Sequence, residues 1–180
     1  MQTLRGHLLI AGAGLIDPNF RRAIVLIGHH DEEGAVGVVL NRPSETTVWD
    51  AVPSLGPLVG PEDLVFVGGP VQPQAAVLMA EFERPEEAEV LAFDRIGFVT
   101  GEVEAGSVEG LGRVRVFAGY AGWGAGQLEA EMEQESWITE PARPEDVFSD
   151  DPEQLWEAVL RRKGGKFALM ATMPFDPSTN

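Results

Sequence analysis

The chain has 180 residues, 44% of them hydrophobic and 23% charged, and a formal net charge of −16 from 13 basic and 29 acidic side chains. That length suits one domain with a substantial core, read here as residues 1–180, and the composition excludes a disordered or fibrous chain. The absence of cysteine excludes disulfides, thiol catalysis and thiolate metal sites, and the acidic surface opposes nucleic acid and anionic lipid.

The first apolar run, Leu8 to Ala11, meets Gly12-x-Gly14 where a dinucleotide-binding turn would stand. That fingerprint needs a third glycine opening a helix, and the position holds Asp17, followed by Pro18 and Asn19. Asp-Pro-Asn is turn chemistry, so a strand and a connection over residues 14 to 20 are expected, with no cofactor. Ala23 to Ile27 and Ala35 to Leu40 flank "HHDEEG" and predict an antiparallel hairpin with Gly34 at the turn. Thr46 to Gly56 suits a short helix limited by Pro53. Leu64–Val67, Ala75–Met79, Val90–Phe93, Ile96–Thr100, Val114–Tyr120 and Lys166–Met173 read as strands, and Glu81–Glu89 as an acidic surface loop. Helices are expected from Ala125 to about Ser136 and from an Asp151 N-cap to Gly164. The latter has Leu155, Trp156, Val159 and Leu160 on one face and Arg161-Arg162-Lys163 at its end. Loops between strands are too short for crossover helices, which predicts an α+β domain: a mostly antiparallel, strongly curved sheet with a few packed helices.

No apolar run is long enough to span a bilayer, and "MQTLRGHLLIAG" makes a poor signal peptide, so a cytoplasmic location is expected. "HHDEE" invites a metal, but alternate strand residues face opposite ways and His7 is the only other imidazole; a solvated turn is expected and no metal site. No Gly-x-Ser-x-Gly elbow and no Walker loop occur.

Three stretches carry a candidate pocket. Asn41-Arg42-Pro43, Gly68-Gly69-Pro70 and the aromatic stretch with Tyr120, Trp123 and Gln127 each follow a strand. Glycines admit close approach to the backbone, Arg42 offers a fork of donors, Asn41 and Gln127 offer amides, and the aromatics offer flat walls. Two readings stand at this point. Either the stretches are tight turns with Tyr120 and Trp123 in the core, or they converge on one cleft for an anionic or amide-bearing ligand.

The same stretches, in the order "LLIAGAGLIDPNFRRAIVLIGHHD", "HHDEEGAVGVVLNRP", "VFVGGPVQ" and "GYAGWGAGQLEAEMEQESWI", resemble the YqgE/AlgH family of bacterial proteins. The resemblance runs from Arg5 to about Met173 and implies a bifurcated sheet curled into a pseudo-barrel. It also implies a cytoplasmic protein of unestablished biochemical activity, with a proposed role in transcriptional regulation. His30, Gly34, Gly37, Asn41, Pro43, Gly68, Gly69, Pro70, Gly119, Tyr120, Trp123 and Gln127 follow the family pattern. Some relatives carry a cysteine just before the histidine-containing turn, and in this chain Gly28 stands in that region. The reading that results is a non-enzymatic domain binding an unknown small ligand or protein partner. An enzyme with an unrecognised histidine or carboxylate site is the alternative, and a nucleic-acid-binding regulator the third, opposed by charge and by the lack of a basic recognition helix.

Overall fold

In the computed structural model, which describes residues 2–12, 14, 15, 17–100 and 110–172, the hydrophobic runs become ten strands joined edge to edge. They are β1 (His7–Ala11), β2 (Ile24–Asp31), β3 (Gly34–Val39), β4 (Pro43–Thr47), β5 (Leu64–Val67), β6 (Val71–Phe82), β7 (Val90–Phe93), β8 (Ile96–Thr100), β9 (Leu111–Gly124) and β10 (Trp137–Pro141). The main path runs β10-β1-β2-β3-β9-β6-β8-β7, antiparallel throughout, and β4 and β5 branch from it. The path stays open, and its curl carries β7 back against β2. The Phe98 ring lies in the space that a Cβ at Gly28 would need. This is the curved α+β sheet that the strand pattern predicts.

Alternation sorts the core. Leu8, Ile10, Ile24, Leu26, Val38 and Leu40 face one apolar cluster, while Leu9, Ala11, Val25, Ile27 and Val39 face another on the opposite side of the same strands. Burial on both faces explains why these segments read as continuous hydrophobic runs. After the short helix α3 (Pro144–Val147), helix α4 (Leu155–Lys163) covers the first face with Leu155, Trp156, Val159 and Leu160, and α2 (Gln127–Glu133) covers the second with Leu128. A third cluster forms under α1 (Val48–Ala51), where Thr47 Oγ1 accepts from the Asp50 N–H and the 3-10 turn Pro53–Leu58 follows at once.

The sheet forks at the glycines. The first part of β9 pairs with β6 on one side and, in parallel, with β5 on the other; its last four residues pair with β3. At the junction the Gly68 carbonyl accepts from Val39 N–H, and Gly68 N–H donates to the Ala118 carbonyl, both at 2.8 Å. Gly69 (φ +153) and Gly119 (φ +76) lie so close that a Cβ on Gly69 would overlap the Tyr120 carbonyl, and one on Gly119 would stand 2.5 Å from the Gly69 oxygen. These glycines serve the meeting of two sheets, and the chain's own backbone occupies the approach they allow.

Several boundaries differ from expectation. Lys166–Met173 is not a strand: Lys166–Met170 is helix α5, with Phe167, Met170 and Ala171 on the core at helical spacing, entered through Gly164 and Gly165 at positive φ; residue 173 lies outside the described residues, as does residue 16 of the 14–20 connection. A four-residue apolar run does not by itself distinguish strand from helix. The glycine-spaced aromatic stretch is not a loop but the end of β9, which runs to Gly124 because β3 supplies its hydrogen bonds. Strand β6 extends through Glu81 and Phe82 into the expected surface loop. Helix α2 spans a shorter stretch than Ala125–Ser136, and β10 follows it as an unforeseen partner for β1. Asp151 makes no side-chain cap; a 3-10 turn, Pro152–Gln154, leads into α4.

Candidate functional site

The first of the three stretches closes the end of the β2–β3 hairpin. Asn41 is fixed from both ends of its amide: Oδ1 accepts from Ile24 N–H at 3.0 Å and Nδ2 donates to the Arg22 carbonyl at 2.9 Å. Arg42 spends its fork nearby, donating to the Asn19 carbonyl and, at 2.7 Å, to the Arg21 carbonyl. Burial holds the Arg42 guanidinium below its ordinary value, with Asp17 acting in the opposite direction. Asn41 and Arg42 therefore position the segment of residues 18–22 rather than presenting free donors.

What that segment carries is basic. Arg22 sits at φ +54, a left-handed conformation that side-chain-bearing residues seldom adopt, and its guanidinium lies 4.4 Å from the centroid of the Trp156 ring. Trp156 is anchored by its indole N–H to the Ala11 carbonyl at 2.9 Å. Arg21, Arg22 and Arg42 line one cleft of about 620 Å³ with Asn41, Trp156 and Glu157. Burial lowers the Arg22 guanidinium too, and Glu157 offsets it.

The other predicted residues go elsewhere. Pro43 lines a separate concavity of about 360 Å³, where the Arg115 guanidinium lies 4.5 Å over Phe66 and donates to the Val147 carbonyl at 3.2 Å. Gly68 and Gly69 are buried at the fork and Pro70 is exposed beside them. Tyr120 and Trp123 are three residues apart on one strand and so face opposite sides. Tyr120 borders a cleft of about 320 Å³ at the mouth of the curled sheet. Trp123 packs in the core under α2, stacked on Phe20 (6.1 Å between centroids) and edge-on to Trp137. Gln127 is exposed, accepts from Gly124 N–H and donates to Glu131, which fastens the start of α2. The three stretches thus adjoin through backbone, with Val67 N–H on the Arg42 carbonyl and Val71 opposite Tyr120, while their side chains serve different concavities.

The histidine pair separates likewise. An irregularity in β2 between Ile27 and His29 shifts register, so that His30 faces the α2 side with Ala35. Its Nδ1 accepts from Leu4 N–H at 2.9 Å and its Nε2 meets Glu129 Oε1 at 2.5 Å, which sets the tautomer with the proton on Nε2. His29 pairs with Asp31 in solvent at 2.8 Å. Among the described residues no three His, Asp or Glu side chains converge as metal ligands.

Arg21, Arg22 and Trp156 line this cleft and are not among the residues that the sequence singled out for a pocket. Arg21 and Arg22 are adjacent in the sequence of an acidic chain, but their meeting with Trp156 joins segments more than a hundred residues apart. The basic run Arg161-Arg162-Lys163 is spent on the fold: Arg162 grips Asp146 at 2.8 and 2.9 Å and Lys163 donates to the Thr139 carbonyl at 2.7 Å.

A curved, forked sheet with this order of motifs is the architecture of the AlgH-like proteins, whose family model matches residues 8–168. The chain belongs to that family. It is 43% identical to a UPF0301 protein of Streptomyces avermitilis, over 100% of this chain and 97% of the relative. It is 40% identical to a UPF0301 protein of Mycobacterium tuberculosis, over 97% and 90%. Among solved structures, a crystal structure from Corynebacterium diphtheriae superposes with a TM-score of 0.83 at 26% identity, covering 96% of this chain and 94% of that one. The solution structure of AlgH from Pseudomonas aeruginosa gives 0.73 at 30% identity, covering 97% and 98%.

Proposed function

We propose that this protein is a regulatory, non-enzymatic domain that binds a small anionic ligand in the arginine cleft. The observation that carries the reading is the convergence of Arg21, Arg22 and Arg42 in one cleft of a chain whose net charge is −16. A guanidinium cluster on restrained backbone matches the geometry of carboxylate or phosphate, and a ligand would bind it in exchange with the acidic groups already beside it, Glu157 for Arg22 and Asp17 for Arg42. The strained backbone of Arg22, pinned by Asn41, fits a position kept for a purpose other than stability. The buried Trp156 ring carries the Arg22 guanidinium on its face and so holds that cation in place in the cleft. A nucleic-acid backbone fits poorly, because a net charge of −16 opposes a polyanion along its whole length, whereas a small anion meets only the cleft.

Native mass spectrometry of freshly purified protein tests for a retained ligand. Calorimetric titration with inorganic phosphate and with citrate tests the chemistry directly. Saturable binding that is lost in Arg22→Ala supports the reading; binding indifferent to Arg21→Ala and Arg22→Ala, or none to either anion together with no retained species, overturns it.

A further inference from the structure

The cleft at the mouth of the curled sheet has the opposite character. Its walls are apolar, from Val77 of β6, Val90 of β7 and Phe98 of β8, and its volume is about 320 Å³. Tyr120 and Gln72 stand at its rim, and among the described residues no hydrogen bond engages the Tyr120 hydroxyl or the Gln72 amide. Gln72 is also, among the described residues, one of four other than glycine at positive φ, 45°, on the irregular stretch of β6 where pairing with β9 lapses between Val71 and Ala76. Among the described residues the one charge in the lining is the Glu89 carboxylate, held in place by Thr100, whose N–H and hydroxyl donate to it at 3.1 and 2.9 Å. Each carboxylate oxygen keeps a further lone pair.

We infer that this cleft is a second binding site, which takes a small organic cation: an apolar body of a few carbons ending in an ammonium group. The apolar walls remove the body from water. Glu89 supplies a fixed counter-charge, the Tyr120 ring and hydroxyl and the Gln72 carbonyl supply an electron-rich rim, and among the described residues no basic side chain in the lining opposes a cation. The net charge of −16 raises the local concentration of cations around the whole molecule. This site is independent of the arginine cleft, with which it shares no residue.

The chain contains a single tyrosine, so incorporation of 3-fluorotyrosine gives one fluorine resonance, at the cleft itself. Hexylammonium, hexanol and hexanoate are titrated against the labelled protein. Hexylammonium moves the resonance saturably, hexanol binds more weakly and hexanoate does not bind. Glu89→Gln weakens hexylammonium by about tenfold while leaving hexanol unchanged, as loss of a charge-assisted hydrogen bond requires. Ala75→Phe, which fills the cleft, removes both, with an unchanged melting temperature showing that the fold persists. The inference is overturned if hexanoate binds as well as hexylammonium, if Glu89→Gln leaves hexylammonium unaffected, or if no probe shifts the resonance.

Discussion

At the scale of single residues, His30 and Glu129 set a pH dependence of known sign. The hydrogen bond from His30 holds the Glu129 carboxyl below its ordinary value, with a backbone hydrogen bond adding to it. A depressed carboxyl contributes stability that is complete above its unfolded pKa and disappears as pH falls through its folded pKa. Glu129→Gln keeps an acceptor for His30 Nε2–H and removes the titration. Its melting temperature should therefore lie within a few degrees of the parent at neutral pH, and the gap should narrow on the acid side; thermal melts from pH 7 to pH 3 measure it. Gly69 gives a sharper expectation. At φ +153 and with no space for a Cβ, Gly69→Ala combines backbone strain with overlap and should cost at least ~2 kcal/mol in urea denaturation.

At the scale of elements, α2 is a clamp. Glu131 Oε1 accepts from the indole N–H groups of Trp123 at 3.2 Å and Trp137 at 2.9 Å, so one carboxylate ties β9 to β10 across the face that the helix covers. Both rings are buried, and Glu131→Ala leaves two indole donors unmatched. We expect a loss of about 1–3 kcal/mol, with a change in tryptophan emission at constant secondary structure. Elements also show what the amino-acid pattern discloses. Strands β1 to β3 and α4 were legible because β-branched runs and one apolar helix face leave little alternative. The end of β9 was not, since "GYAGWG" has the glycine content of a loop and becomes strand only because β3 lies alongside. Helix α5 was misread for a related reason: "KFALM" is too short for its period to show. Strand β10, "WITEP", owes its existence to pairing with β1 across more than a hundred residues.

For the whole molecule, charge dominates encounters with other polymers. No gel shift of random duplex DNA is expected at physiological salt, and a steeply salt-dependent shift would reveal a basic face outside the surfaces described. The candidate pocket was half legible on this scale: Asn41 and Arg42 do border a cleft, yet the alternation of β9 sends Tyr120 and Trp123 to opposite sides, and Trp156 arrives from the far end of the chain. The fork in the sheet has a further consequence, for how the chain comes to be folded. Strand β9 begins only at Leu111, yet it lies between β3 and β6 and also carries β5. A ribosome must therefore deliver well over half of the polypeptide before the sheet has its middle. Until then β3, β5 and β6 carry unpaired edges, which invite pairing with other chains. Closure through contacts so distant in sequence falls in the slow regime of ms–s. Nascent chains halted before residue 111 should stay open to protease, and those long enough to expose Gly124 beyond the exit tunnel should begin to resist it.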